Sequence, residues 1–336
     1  MGNSSDSTSL FHTSVFRSTD FDNNGECKLP GQQANWLVWN TNQISNQTES
    51  YSKGTVIVKP NLRNNTTYPN GPVYVSDEDF ISVFNDQDST KLKGNFAKKY
   101  GYPINLQIIQ KVYSWNTPEL RNIVVVEQDI SNISNDTLWS CYISPVFDFD
   151  IGLTNLPITA NNDRVRYVSE DTTLNLVAMW SDISPLETGH GLEYLGIGFL
   201  YTPTIDAEGF IISSSNQTAN TTQLGLKTLL TASIQLQQED RIFPDYDLLT
   251  SFVKEKQTFA TDSRVALSTH GFHLRPNDTA RIAYAVCISP PNGQITDGTW
   301  ENMQPLIESY NKIKKFYSIG LKKNILTTLC HHNHYL

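Results

Sequence analysis

Between residues 72 and 297, apolar runs of about five to nine residues alternate with clusters of Asn, Asp, Pro and Gly. Short runs rich in β-branched and aromatic residues are typical of strands, and the clusters between them are typical of turns. The pattern predicts an all-β fold with about a dozen strands. We expect a large antiparallel β-sandwich, immunoglobulin-like or jelly-roll-like, built as one extended sandwich or as two abutting ones.

Two of these runs show clear alternation of large and small side chains. In Thr279 to Ile288, one face carries Ile282, Tyr284, Val286 and Ile288, and the other carries Arg281, Ala283, Ala285 and Cys287. We expect the large side chains to face a core and the small ones to face an element that packs closely. Residues 174–180 alternate in the same way. Ile123 to Val126 is apolar throughout, which predicts a central strand covered on both faces.

One segment near the C-terminal end has helical periodicity. Apolar residues recur every three or four positions, at Trp300, Met303, Ile307, Tyr310, Ile313 and Tyr317. Pro305 favours a helix that begins there after one preceding turn, and the alternative is a helix capped by Thr299 and kinked at Pro305. We divide the chain into a loop-rich segment (1–71), the β-sandwich (72–297), the amphipathic helix (298–319) and a tail expected to be poorly ordered (320–336).

Composition and charge exclude several classes of partner. The formal net charge is −9, and no basic block could neutralise a run of phosphates, so we expect no nucleic-acid partner. No stretch approaches the ~18 consecutive apolar residues that a membrane helix needs. The first 16 residues have neither the basic start nor the apolar run of a signal peptide.

The four cysteines lie far apart in the sequence, at Cys27, Cys141, Cys287 and Cys330. That spacing does not match a zinc site or a CxxC redox motif. Cys141 and Cys287 fall in strand-like runs, where they are either small buried hydrophobes or the two halves of a disulfide.

The strongest candidate for bound chemistry is a cluster of carboxylates and amides that begins at Asp148, Asp150 and Gly152 and continues with Asn161, Asn162 and Asp163. Oxygen ligands of these kinds suit Ca²⁺, which takes six to eight of them. The spacing differs from that of an EF-hand, and the alternative interpretation is a solvated acidic loop. The pattern predicts a Ca²⁺ site formed by Asp148, Asp150, Asn161, Asn162 and Asp163.

The sequence contains few of the features that a catalytic site needs. Asp148 and Asp150 are spaced as a glycosidase acid–base pair would be, but nothing around them supplies the apolar pocket that raises one pKa. His190, His270 and His273 lie in apparent loops, and no Gly-x-Ser-x-Gly motif presents a nucleophile. We therefore expect no catalytic residues, with a glycoside-active hydrolase or lyase as the alternative.

Several aromatic residues lie near the ends of the predicted strands: Tyr113, Trp115, Trp139 and Trp180. Exposed rings would form a platform on which a sugar stacks, and buried rings would belong to the core. The sequence leaves both alternatives open.

A collinear series of motifs over residues 72–317 resembles a group of large uncharacterised secreted or cell-surface proteins of Bacteroidota and Ignavibacteria. The motifs are Val83-Phe84-Asn85-Asp86, Ser134 to Leu138, Phe147 to Gly152, Leu174 to Trp180, Leu195 to Leu200, Arg264 to Ser268 and Phe272 to Ala280. Members of that group usually begin with a signal peptide and often end in a type IX secretion sorting domain. The resemblance implies an extracellular or outer-surface location and a chain that is part of a longer exported protein.

Three functions are compatible with these observations. The leading hypothesis is a noncatalytic exported surface or extracellular module that binds a glycan or a protein partner, with Ca²⁺ rigidifying the loop from Asp148 to Asp163. The second is a hydrolase or lyase that uses Asp148 and Asp150. The third is a structural scaffold domain of a longer secreted protein. The resembling group has no established activity, so it does not choose among them.

Overall fold

Antiparallel strands are the main regular structure of the described residues in a computed structural model. The structure describes residues 37–40, 76, 78–85, 104–151, 162–182, 193–212, 221–233, 250–254, 260–294 and 296–319. The strands in chain order are β1 (Leu37–Asn40), β2 (Glu78–Asn85), β3 (Leu106–Ser114), β4 (Ile123–Asn132), β5 (Leu138–Cys141), β6 (Val146–Asp148), β7 (Asp163–Tyr167), β8 (Leu176–Ser181), β9 (Tyr194–Tyr201), β10 (Thr204–Ile205), β11 (Thr222–Gln223), β12 (Leu226–Ser233), β13 (Ser263–Thr269), β14 (Phe272–Leu274) and β15 (Thr279–Ser289). A 3₁₀ turn (Thr172–Leu174) precedes β8, and the helix α1 (Gln304–Ser318) follows β15.

One large sheet organises the fold. Its eight strands run in the order β1-β2-β3-β4-β15-β9-β8-β7, and every neighbouring pair is antiparallel. A three-stranded sheet (β12-β13-β6) and two two-stranded sheets (β14-β5 and β10-β11) complete the structure. The fold is therefore the predicted all-β antiparallel sandwich with a C-terminal helix, and the alternative of two abutting sandwiches does not apply to the described residues.

The two faces of the large sheet bury different cores. One face packs on the smaller sheets, with Val177, Met179 and Ile282 facing Leu229 and Leu267. The opposite face packs on α1 and its preceding turn through a second set of buried residues, which includes Leu176, Ala178, Trp180, Ala285, Leu306 and Tyr310. Alternate residues of β8 thus enter opposite cores, as its sequence pattern predicts.

Small residues let α1 lie close to the sheet. Ala285 and Cys287 are fully buried under the helix, which confirms that the small face of β15 meets a closely packed element. On the neighbouring β9, a Cβ added at Gly198 would lie 2.5 Å from the Tyr310 ring. The Tyr310 hydroxyl donates a hydrogen bond of 2.8 Å to the Phe199 carbonyl oxygen, which fixes the helix at this point.

The start of α1 agrees with the Pro305 interpretation. The helix begins at Gln304, with Pro305 in its first turn, where a missing N–H breaks no helical hydrogen bond. Residues 300–303 form the expected preceding turn. Thr299 caps that turn, because its Oγ1 accepts a hydrogen bond of 3.3 Å from the Asn302 N–H.

The expectation that β4 is covered on both faces is wrong at one end. Val124 is 38% exposed and Ile288, on the neighbouring β15, is 41% exposed. Ile123 and Val125 are buried on the helix side, but on the other face the smaller sheets do not reach this end of the large sheet. The prediction that Ile288 faces the core fails for the same reason.

The apolar sequence between Leu138 and Phe149 contains two strands, β5 and β6, which lie in different sheets. β5 pairs with β14, and β6 pairs with β13. Pro145 lies between them, and proline cannot donate to a ladder, so the chain leaves one sheet before it enters the next. Phe210 and Ile211 belong to no named strand and form isolated bridges with His273 and Ile205.

Other predictions fall partly or wholly outside the described residues. Within the segment 1–71, the described residues Leu37–Asn40 form β1 at the edge of the large sheet. The tail 320–336 and His190 lie outside the described part of the chain. Cys141 and Cys287 are both free and fully buried, one in each core, so they do not form a disulfide.

Candidate functional site

The predicted acidic residues lie where β6, β7 and β13 approach one another. Asp148 ends β6, Asp163 begins β7, and Asp150 and Asn162 lie in the flanking connections. The structure therefore brings Asp148, Asp150 and Asp163 to one region. Asn161 falls outside the described residues.

Asp163 is the most unusual member of this region because its side chain is fully buried. One carboxylate oxygen, Oδ1, accepts a hydrogen bond of 3.1 Å from the Ile151 N–H, while the other, Oδ2, has no hydrogen-bond partner among the described residues. Burial raises the pKa of Asp163 to about 7, with a further contribution from the negative charges of Asp150 and Asp262. A bound proton or a bound cation would neutralise the negative charge of this carboxylate.

Asp148 has a partner of its own. Its Oδ2 accepts a hydrogen bond of 2.9 Å from Nε of Arg264, the residue opposite it in the β6–β13 ladder. Asp262, just before β13, was not singled out from the sequence. Its pKa is raised by burial and by the charges of Asp148 and Asp150, which places it in the same acidic region.

Within the described ranges, no group of three or more His, Cys, Asp or Glu side chains is arranged to hold a metal ion. The fully buried Asp163 with its unpartnered oxygen would suit a cation, whereas Asp148 is already neutralised by Arg264. The Ca²⁺ site at Asp148, Asp150, Asn161, Asn162 and Asp163 stays a prediction.

The acid–base pairing of Asp148 and Asp150 finds no support in their surroundings. Both residues are exposed, and the Asp148 carboxylate forms an ion pair. A second pair of carboxylates, Glu127 and Asp129, lies on the helix side of β4. Lys111 bridges both of them at 3.2 Å, and the Tyr317 hydroxyl donates to Glu127 at 2.8 Å. This network joins the end of α1 to the sheet.

The aromatic residues separate into core and surface. Tyr113, Trp115 and Trp180 are buried in the core beneath α1. Trp139 is 42% exposed. Of these four rings, only that of Trp139 is available to stack on a ligand.

A β-bulge lies beside the exposed Trp139 side chain. Phe272 pairs with Cys141 and Leu274 pairs with Leu138, so two residues of β5, Trp139 and Ser140, lie opposite His273 alone. Ser140 has a φ of 52°, in the left-handed region. A bulge of this kind interrupts the alternation of a strand and redirects a side chain, and here both Trp139 and Ser140 face solvent.

Three aromatic rings meet at the bulge. The Trp139 ring lies 4.8 Å from His273 and 5.5 Å from Phe210, and the Phe210 and His273 rings are 5.2 Å apart, each pair edge to face. His273 Nδ1 accepts a hydrogen bond of 3.0 Å from the Ser140 N–H, so the neutral imidazole carries its proton on Nε2. We call Trp139, Phe210 and His273 the Trp139 platform.

Charged groups border the Trp139 platform. The Arg275 guanidinium lies 3.7 Å from the centre of the Phe210 ring, and Asp206 lies 3.9 Å from Arg275. Asp206 also accepts a hydrogen bond of 2.8 Å from the Phe210 N–H, which holds the turn that carries this ring. An exposed ring surface with a neighbouring donor and acceptor suits a ligand that has both apolar and polar faces.

The sequence contained only part of the signal for this site. Trp139 was a candidate stacking residue, and His273 and Arg275 lie in one of the motifs that carry the family resemblance. Phe210 had no signal of its own, because an isolated parallel bridge to His273 brings it to the platform.

The comparisons with known proteins leave the family open. No protein-family model and no curated protein matches this sequence. Among solved structures, a crystal structure of a protein of Escherichia coli K12, provisionally named an aldose 1-epimerase, aligns with 63% of this chain and 65% of its own, at a TM-score of 0.28 and 6% identity. A likeness this weak says nothing about the activity or the ligand of this chain.

Proposed function

We propose that this chain is a noncatalytic module that binds a glycan at the Trp139 platform. The observation that supports the proposal is the exposed Trp139 ring beside the bulge, which packs against His273 and Phe210 instead of entering the core. Exposing a tryptophan forgoes the free energy that its burial would contribute, so a ring held outward by the backbone suits a binding surface.

The chemistry of the platform fits a sugar better than a wholly apolar ligand. The C–H face of a pyranose ring would pack on the Trp139 indole, and its hydroxyl groups would exchange hydrogen bonds with the groups at the rim. Arg275 can donate and Asp206 can accept, so both hydrogen-bonding roles of a hydroxyl are met. The alternative partner is a protein with a flat surface, which would contact the same residues of the platform with lower selectivity.

A glycan array followed by calorimetry tests this proposal. We expect at least one neutral or charged glycan to be retained, and Trp139→Ala to weaken its binding by about tenfold or more. Ile288→Ala is the matched control, because Ile288 is a large side chain of nearly equal exposure that lies away from the platform. Equal loss in both variants, or unchanged binding in Trp139→Ala, would contradict the proposal.

Calcium is the second part of the proposal. Its support is the buried Asp163 carboxylate, whose Oδ2 lacks a partner among the described residues and lies in an acidic region with Asp150 and Asp262. Ca²⁺ would supply the missing positive charge. We expect Ca²⁺ to raise the unfolding temperature, EDTA to reverse this, and Asp163→Asn to abolish the effect. Calorimetry without Ca²⁺ uptake would eliminate this part and leave the glycan proposal unaffected.

Location follows from the family resemblance alone. We propose that the chain acts outside the cell or on the outer surface. Within the described residues, no helix is both long enough and apolar enough to cross a membrane. Protease accessibility on intact cells tests the location, and a chain protected until lysis would contradict it.

A further inference from the structure

A second exposed aromatic side chain, that of Phe252, lies beside β12 of the three-stranded sheet. Phe252 is 54% exposed and its neighbour Val253 is also exposed. Phe252 has a φ of 63°, a conformation that a bulky side chain seldom adopts. Its N–H donates a hydrogen bond of 3.1 Å to the buried Thr228 Oγ1, so the backbone holds the ring outward from β12.

Basic side chains lie near this ring. The Lys227 ammonium lies 4.2 Å from the centre of the Phe252 ring, and the His270 ring lies 5.9 Å from it. Lys254, two residues after Phe252, places its ammonium 4.1 Å from the centre of the Tyr167 ring. We call Lys227, Phe252, Lys254 and His270 the cationic patch.

The cationic patch forms no ion pair in the part of the chain that the structure describes. No salt bridge joins Lys227, Lys254 or His270 to a carboxylate there. The pKa of His270 is lowered by burial and then by the charges of Lys227 and Lys254, so both ammonium groups lie close enough to act on the imidazole.

We infer that the cationic patch binds the anionic group, a carboxylate or a sulfate, of an acidic saccharide. An anion between Lys227 and Lys254 would pair with both ammonium groups, while the exposed Phe252 ring offers an apolar surface for the sugar that carries it. Two lysines and one histidine are too few to neutralise a run of phosphates, so nucleic acid does not fit. The inference rests on the proposed glycan binding, and it specifies the class of glycan.

The cationic patch is tested first without any saccharide. In an NMR titration, we expect the pKa of His270 to lie below its ordinary value of 6.5 and to rise in Lys227→Gln and in Lys254→Gln, because each substitution removes a positive neighbour. Lys312→Gln, on the exposed face of α1, is the matched control and should leave it unchanged. A His270 pKa above 6.5 would mean that a carboxylate of the chain itself neutralises the patch, and it would overturn the inference.

The saccharide is tested with tetragalacturonate and its methyl ester, which has the same sugars without the charge. We expect the acid to bind more tightly, its affinity to fall with added salt, and each lysine variant to weaken it about three- to fivefold. Lys312→Gln should bind like the unmodified protein. Circular dichroism of each variant confirms that it is folded.

Separate outcomes identify which proposal fails. If the acid and the ester bind equally tightly in all variants, the proposal that the cationic patch binds an anion is wrong. The proposal for the Trp139 platform is then unaffected. If no saccharide binds, inorganic sulfate is the remaining probe, and shifts of the His270 resonances that vanish in both lysine variants would support an anion site without the glycan proposal. Binding of an Asp- and Glu-rich peptide in place of the saccharide would contradict the inference and indicate a protein partner.

Discussion

The backbone N–H of Ser140 donates a hydrogen bond of 3.0 Å to Nδ1 of His273, across a bulge in which two residues of β5 oppose one residue of β14. This contact joins the strand that carries Trp139 to the imidazole on which the indole packs. The orientation of the exposed ring therefore depends on the backbone conformation of its neighbour.

Substitutions at Ser140 test that dependence. Its φ of 52° excludes proline, whose ring holds φ near −65° and which has no N–H to donate. We expect Ser140→Pro to lower the unfolding temperature by about 3 °C or more and to abolish glycan binding. Ser140→Gly and Ser140→Ala keep the N–H and should retain binding. Full binding by Ser140→Pro would show that the bulge does not position Trp139.

The bulge also shows what a single sequence does not contain. The alternation of β15 and the three-to-four spacing of α1 are local patterns, so both elements were predicted correctly from residues 279–317. The bulge arises from the pairing of β5 with β14, more than 130 residues apart, and no local pattern indicates it. The proximity of Asp262 to Asp148 depends in the same way on the pairing of β13 with β6.

The extent of a sheet is similarly a tertiary property. The apolar sequence of β4 predicted cover on both faces, and the helix side agrees, with Ile123 and Val125 buried. Val124 is exposed on the opposite face, where it belongs to neither buried core. Apolar residues identify a strand, but they do not specify how far its partner reaches.

The packing of α1 on β9 predicts a contrast between two glycines. An added Cβ at Gly198 would meet the rigid Tyr310 ring at 2.5 Å, whereas at Gly196 it would meet the flexible end of Leu306 at 2.8 Å. We expect Gly198→Ala to lower the free energy of unfolding by about 2 to 3 kcal/mol and Gly196→Ala to cost less. Chemical denaturation measures both. A larger effect at Gly196 would contradict the observed packing.

A buried amide connects the turn before β5 to the end of β14. Asn132 is fully buried, and its Nδ2 donates to the carbonyl oxygens of Asp136 and Leu274 at 2.8 and 3.0 Å. We expect Asn132→Ala to lower the free energy of unfolding by about 2 to 3 kcal/mol, because it removes a donor to the Leu274 carbonyl oxygen and the acceptor of the Ser134 N–H. Asn135→Ala, at an exposed position three residues on, is the control for denaturation measurements, and a similar loss there would argue against this role for Asn132.

The buried Asp163 predicts how stability depends on pH. Its pKa is raised by burial to about 7 in the folded protein, against 3.8 for an ordinary aspartate. Between those values the folded state keeps a proton that the unfolded chain releases. In metal-free buffer this group therefore lowers the free energy of unfolding as the pH rises from about 4 to 7, by an amount on the order of 3 kcal/mol.

Asp163→Asn should remove this part of the pH dependence. We expect the variant to gain stability over the unmodified protein at pH 8 but little at pH 4, as measured by thermal unfolding in EDTA. Asp136→Asn changes an exposed aspartate and should leave the profile unchanged. If stability depends on pH in the same way in the variant and in the unmodified protein, the negative charge of Asp163 is already neutralised in the folded protein.

The central claim, that a glycan stacks on Trp139, is tested most directly by the indole N–H resonances in an NMR titration with a glycan retained on the array. The structure predicts that the Trp139 resonance, assigned by its loss in Trp139→Phe, shifts progressively with glycan, while those of the buried Trp115 and Trp180 stay in place. Saturable glycan binding that leaves the Trp139 resonance unmoved would contradict the claim.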